Sequence, residues 1–101
     1  MHAWNDTRKL ISYASGGIMS KVIRKTDYSN VTLFSMAAGT DISEHTAKRE
    51  GLVYVIEGKG VFTLGGEDID MLPGVVIFLP KDAVHSLKAD GNTSFLLALW
   101  G

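Results

Sequence analysis

The sequence predicts an all-β protein, a sandwich or barrel built from short strands. Three observations carry that prediction. No stretch longer than about ten residues keeps a clean helical period. Short β-rich runs recur instead, divided by turn residues every 8–12 residues or so, the spacing of a sandwich or barrel. The 2 prolines, Pro73 and Pro80, fall at the edges of these runs, where a missing N–H costs no sheet pairing.

The elements follow in order. Residues 1–17 read as an irregular segment, with Ser15-Gly16-Gly17 as a hinge, ahead of one barrel domain over residues 18–101. Met19 to Lys25 alternates in part, and Val31 to Ala37 is a strand that Gly39 ends. Leu52 to Ile56 is nearly all apolar. Glu57-Gly58-Lys59-Gly60 reads as a turn, with Val61 to Leu64 as the hairpin partner of the preceding strand. Gly65-Gly66 turns the chain into Asp68 to Leu72, and Pro73-Gly74 turns it into Val75 to Leu79. Val84 to Lys88 is a short strand, Asp90-Gly91-Asn92 a turn, and Thr93 to Trp100 a long last strand. Leu52 to Ile56 and Phe95 to Trp100 are apolar at successive positions. A barrel strand buries one face in the lumen, so the other face needs cover. Cover from a second copy predicts a homodimer; two sheets packed within one chain would also supply it.

Composition narrows the function classes. The chain has 101 residues, the size of one domain, and 46% of them are hydrophobic, enough for a core. It has no cysteine, which excludes disulfides and cysteine–zinc sites and suits a reducing, cytoplasmic setting. Net charge is −1. Arg24-Lys25 and Lys48-Arg49 are short pairs and not a basic stripe, so no nucleic-acid partner is expected. No apolar run reaches the roughly 18 residues of a membrane span. Met1 to Leu10 lacks the apolar stretch of a signal peptide.

Two histidines stand in spaced frames of glycine and proline. The first frame is Gly39, five residues, His45-Thr46-Ala47, three residues, Gly51, six residues, Gly58. The second is Gly74, five residues, Pro80-Lys81-Asp82, two residues, His85. These frames resemble the two sequence motifs of the cupin family. The lone His45 followed by Thr46-Ala47 resembles the small single-domain members. The resemblance covers about residues 18 to 100 and implies a double-stranded β-helix, a jelly-roll barrel with a site in its mouth.

In the family, two histidines of the first motif point into the mouth together, a glutamate joins from the next strand, and the histidine of the second motif enters from across the barrel. Here Ala47 stands at the second histidine's position and Gly51 at the glutamate's. The resemblance thus implies His45 and His85 as metal ligands. The metal would be a divalent transition ion (zinc, nickel, manganese, iron or copper), held weakly or not at all. Glu50 is the substitute carboxylate on offer. It is one residue out of register, which reverses its face unless a bulge at Glu50-Gly51 turns it inward. Glu44 should face away from His45, and Ser86 away from His85. Glu57 and Asp82 read as turn residues and His2 as part of the tail. The apolar candidates for the pocket wall are Phe34, Met36, Val53, Val55, Phe62, Phe78, Phe95 and Trp100, with Met36 and Trp100 foremost. The bland reading of the pair is two hydrogen-bonded structural histidines.

Two functions follow. One is a small-molecule binding barrel in which His45 and His85 are hydrogen-bonding groups. The other is a metal-dependent enzyme, dioxygenase-like or isomerase-like, with an incomplete ligand set.

Overall fold

The computed structural model describes residues 3–101, so His2 lies outside the described residues. Among these residues the chain forms one helical turn and nine strands. In order they are α1 (Thr7–Leu10), β1 (Ile18–Lys25), β2 (Ser29–Met36), β3 (Asp41–His45), β4 (Glu50–Glu57), β5 (Gly60–Leu64), β6 (Glu67–Met71), β7 (Val76–Leu79), β8 (His85–Ala89) and β9 (Thr93–Trp100). They make a five-stranded sheet in the order β1-β2-β9-β4-β7 and a four-stranded sheet in the order β3-β8-β5-β6. From β2 to β5 and again from β6 to β9 the chain changes sheet at every step. That alternation winds the two sheets into the double-stranded β-helix that the motif resemblance implies.

The core lies between the sheets. Val53, Val55, Ile77, Leu79 and Phe95 from the five-stranded sheet meet Phe62, Met71, Leu87 and Ala89 from the four-stranded one. Each comes from the inward parity of its strand; β4 reads exposed, buried, half-buried, buried, exposed, buried from Glu50 to Val55. Period-two patterning thus sets which face is core. Phe34 and Phe95, opposed on β2 and β9, stack with ring centroids 5.2 Å apart.

The expected hairpin between Leu52–Ile56 and Val61–Leu64 does not form. β4 pairs with β7 and β9, whereas β5 pairs with β6 and β8. Residues 58 and 59 carry the chain across from one sheet to the other. Gly58 makes this crossing at φ 120°, and a Cβ there would lie 2.5 Å from Thr93 Cα. A local turn signal cannot distinguish a hairpin from a crossing, because both need glycine.

No apolar alternation marks β3 as a strand. Its sequence, Asp-Ile-Ser-Glu-His, is almost wholly exposed at the edge of its sheet. An edge strand needs no apolar alternation, and charge there discourages pairing with other chains.

The first 17 residues, expected as irregular, contain the α1 turn, capped by the Asp6 side chain on Arg8 N. The segment lies on the outer face of the five-stranded sheet. Lys21 Nζ donates to Leu10 O at 2.6 Å. Tyr13 OH donates to Glu57 at 2.8 Å and accepts from Ser94 Oγ at 2.6 Å, and Ser35 Oγ lies 3.2 Å from Ser94 Oγ. Burial pushes the Tyr13 hydroxyl up to about 12, with the Ser94 bond pulling it back and Glu57 adding to the rise. Leu33, Ser35 and Ser94 are buried at outward positions of β2 and β9.

That cover is partial. Further along the same face, Leu52 pairs with Phe78 and Tyr54 with Val76, while Glu50 lies opposite Trp100. These residues leave Tyr54 43%, Phe78 53%, Val76 61% and Trp100 36% exposed. The apolar second face of these strands is therefore shielded in one part by the chain itself and bare in the other.

Candidate functional site

His45 ends β3 and His85 begins β8, and the register sets them directly opposite one another. Ile42 pairs with Leu87, and unbroken antiparallel counting from there would put Glu44 opposite His85. A register shift between Ile42 and His45 adds one residue and brings His45 there instead. A bulge of this kind re-aims the side chains that follow it. The two rings sit 4.0 Å apart between centroids at 60°. The two histidines, expected close enough across one cavity to share a ligand group, are neighbours on adjacent strands, and the bulge makes them so.

Both imidazoles are held in the same tautomer. His45 Nδ1 lies 2.8 Å from Ser43 O and His85 Nδ1 lies 3.0 Å from Ala83 O. A carbonyl only accepts, so each Nδ1 carries the proton and each Nε2 keeps its lone pair. Each ring is anchored by the carbonyl two residues before it in its own strand or the approach to it. Every fully buried side-chain nitrogen or oxygen among the described residues has a hydrogen-bond partner. His85 Nε2 has none within the protein, so it is open to solvent, although the residue as a whole is only 6% exposed.

Phe62 supports the pair from below. Its ring stacks on His85 at 5.6 Å and 5° from parallel. Burial holds His85 below the ordinary imidazole range; the Ala83 bond opposes this and the neighbouring His45 adds to it. The ring is therefore neutral in neutral solution. Phe62 is one of the apolar candidates for the pocket wall, without any mark in the sequence that ties it to His85. Its place under His85 follows from the pairing of β5 with β8, which the expected hairpin concealed.

The other expected site residues go elsewhere. Glu50 is corrected as a ligand: it is exposed, opposite Trp100, with regular pairing through Glu50 and Gly51. The register shift in β4 comes later, between Val55 and Glu57, so nothing turns Glu50 inward. Trp100 shares that outward face and does not line the mouth. Met36 is fully buried in the core cluster. It lies beside Thr93 at the far end of the barrel from His85, so it is packing and not a pocket wall. Asp82, at the glycine position of the second motif, has φ 65°. Its N–H donates to Ala47 O at 2.9 Å, tying the loop before His85 to the loop after His45. Aspartate is one of the few residues that accept this backbone region.

The fit to a metal is poor. The mouth offers two imidazole nitrogens, and neither Ala47 nor Gly51 has a donor side chain. Among the described residues no three His, Asp or Glu side chains gather in a ligating group. Transition-metal sites with an open position rest on three protein ligands or more. The pair therefore does not fit a resident transition metal.

Two surface depressions lie on β3, β5 and β8, and His85 lines the smaller of them. One of about 180 Å³ is lined by Glu44, Thr63, Gly66, Val84, His85 and Ser86. A wider groove of about 560 Å³ runs over the outer face of the four-stranded sheet between Asp41, Glu44, Asp68 and Lys88. Glu44 and Ser86, expected to face away from the histidines, line both depressions, and His85 lines the smaller one with them. No helix among the described residues is long and apolar enough to cross a membrane.

Comparison with known proteins agrees with this architecture. The chain is 29% identical over 97 residues to an uncharacterized protein of Aquifex aeolicus (strain VF5), covering 94% of this chain and 80% of that one. A cupin superfamily protein from Desulfitobacterium hafniense DCB-2 superposes with a TM-score of 0.86 at 25% identity, over 91% of this chain and 84% of that chain. A variant of salicylate 1,2-dioxygenase from Pseudoaminobacter salicylatoxidans shares the fold at a TM-score of 0.77 and 17% identity, over 88% of this chain but 27% of that enzyme. The family model described as "Cupin domain" matches residues 32–100. With the sheet order, the paired glycine frames and this match in agreement, the chain belongs to the cupin family.

Proposed function

We propose that this protein is a small-molecule binding cupin barrel in which His45 and His85 present two neighbouring hydrogen-bond acceptors. The observation that carries the reading is the shared tautomer. Both Nδ1 atoms are occupied by backbone carbonyls, so both Nε2 atoms are left with lone pairs at rings 4.0 Å apart. Such a pair suits a ligand carrying two adjacent N–H or O–H donors. The rigid anchoring of the rings lowers the entropy lost on binding. The absence of cysteine supports a cytoplasmic setting.

A metal-dependent activity, dioxygenase-like or isomerase-like, is the second reading. The same tautomer favours it, because metal-bound imidazoles also donate through the other nitrogen. The incomplete donor set weighs against it.

Native mass spectrometry of protein purified without an affinity tag separates the two. Under the binding reading, an organic ligand retained by the protein, or found in a thermal-shift screen of donor-bearing small molecules, is lost in both His45→Ala and His85→Ala, while the fold persists. One equivalent of metal per chain, lost in the same variants, would favour the second reading and sink the first. Binding should also weaken in acid, because protonation removes the Nε2 acceptor. For His85 that loss falls below the ordinary imidazole value of about 6.5.

A homodimer through the bare face of Tyr54, Val76, Phe78 and Trp100 belongs to the same proposal. A second copy suits this face because its exposed apolar residues are contiguous across β4, β7 and β9. The net charge of −1 also leaves little repulsion between copies. Light scattering at micromolar concentration should give twice the chain mass, and Phe78→Glu should give the chain mass. A monomer for the unaltered protein would refute the dimer.

A further inference from the structure

The glutamate position of the first motif is not merely empty of a carboxylate. Gly51 lies on β4 between Leu99 of β9 and Leu79 of β7. A Cβ placed on it would sit 2.5 Å from Ala98 O and 2.6 Å from Leu99 Cδ2. The leucine tip can rotate away. The carbonyl cannot, because Ala98 is held in the ladder between β2 and β4. The backbones of β4 and β9 have thus approached to a distance that only glycine permits.

We infer that this barrel has closed over its fourth ligand position at the level of the backbone, with Leu99 filling the volume, so that side-chain replacement cannot restore a metal centre beside His45 and His85. Loss of a ligand by substitution alone would be reversible by the reverse substitution. Loss accompanied by strand closure is not, because any side chain at 51 must first push β4 and β9 apart. The inference concerns the strands and stands whether or not the barrel binds the ligand proposed above.

The two missing positions give different outcomes. Ala47 is half-buried in the loop after β3, outside the ladder, whereas Gly51 is buried within it. Ala47→His should fold normally. Gly51→Ala, which adds one methyl, should lower the thermal midpoint by about 5 °C or more. In calorimetric titration with nickel(II), the double variant Ala47→His/Gly51→Glu should bind no more tightly than Ala47→His alone, or should fail to fold; either result supports the closure. A Gly51→Ala protein as stable as the original would overturn it. So would a double variant that folds and binds nickel at least tenfold more tightly than Ala47→His.

Discussion

Phe62→Ala is expected to lower stability by about 3–5 kcal/mol, the usual effect of emptying a buried aromatic site. Phe62 is fully buried at the centre of the contact between the sheets. Its ring also forms the floor under His85. Removing it admits water to that side of the imidazole, so a second effect follows. Burial is the largest cause holding His85 below the ordinary imidazole range, and with less burial its titration should move up toward about 6.5. Chemical denaturation measures the first effect and NMR titration of the His85 ring the second. A His85 titration that stays in place when Phe62 is removed would mean that something other than this contact desolvates the ring.

The pH dependence of stability follows from the same shift, with its sign fixed. The folded protein holds His85 at a lowered value, so between that value and about 6.5 the unfolded chain binds more protons. The stability tied to His85 is complete above about pH 6.5 and is lost as pH falls through the folded-state value. In Phe62→Ala this dependence should flatten together with the shift.

Gly58→Val should be at least as damaging, lowering stability by about 3 kcal/mol or more, because two independent penalties act at one position. The backbone has φ 120°, a region closed to a β-branched side chain. In addition, Thr93 Cα, Thr93 Oγ1 and Asn92 O all lie within 2.6 Å of where the Cβ would be. The neighbouring network has no slack: Thr93 is buried, and its hydroxyl accepts from Lys59 N–H and lies 3.2 Å from Lys59 O. Thermal unfolding followed by circular dichroism reads this directly. A midpoint within a degree or two of the parent would show that residues 58 and 59 can be rerouted without loss.

The β4–β5 passage shows how much was legible in advance. Glu57-Gly58-Lys59-Gly60 announces a change of direction, and so it proves. The partners that β5 then takes lie far along the chain: Gly60 pairs with Met71 of β6 and Phe62 with Leu87 of β8. Glu50 teaches the same lesson from parity. Its exposure follows from period-two alternation alone, and only a bulge at that point would have reversed it. β4 instead places its irregularity beyond Val55. In β3 the opposite happened: the bulge before His45 rotates the ring toward His85, and no residue of Asp-Ile-Ser-Glu-His marks it.

Strand content, the two glycine frames, the family and the candidate pair His45 and His85 were legible along the chain. These rest on local chemistry: alternation, turn residues and spacing are written along the chain. It took the folded chain to show that His45 and His85 are adjacent-strand neighbours, that Phe62 stacks on His85, and that a Cβ at Gly51 would meet Ala98 O. Those depend on which strand lies beside which and on a one-residue slip in register. Long-range packing of the two sheets sets both, and it is encoded in the summed fit of many side chains, not in any single stretch of sequence.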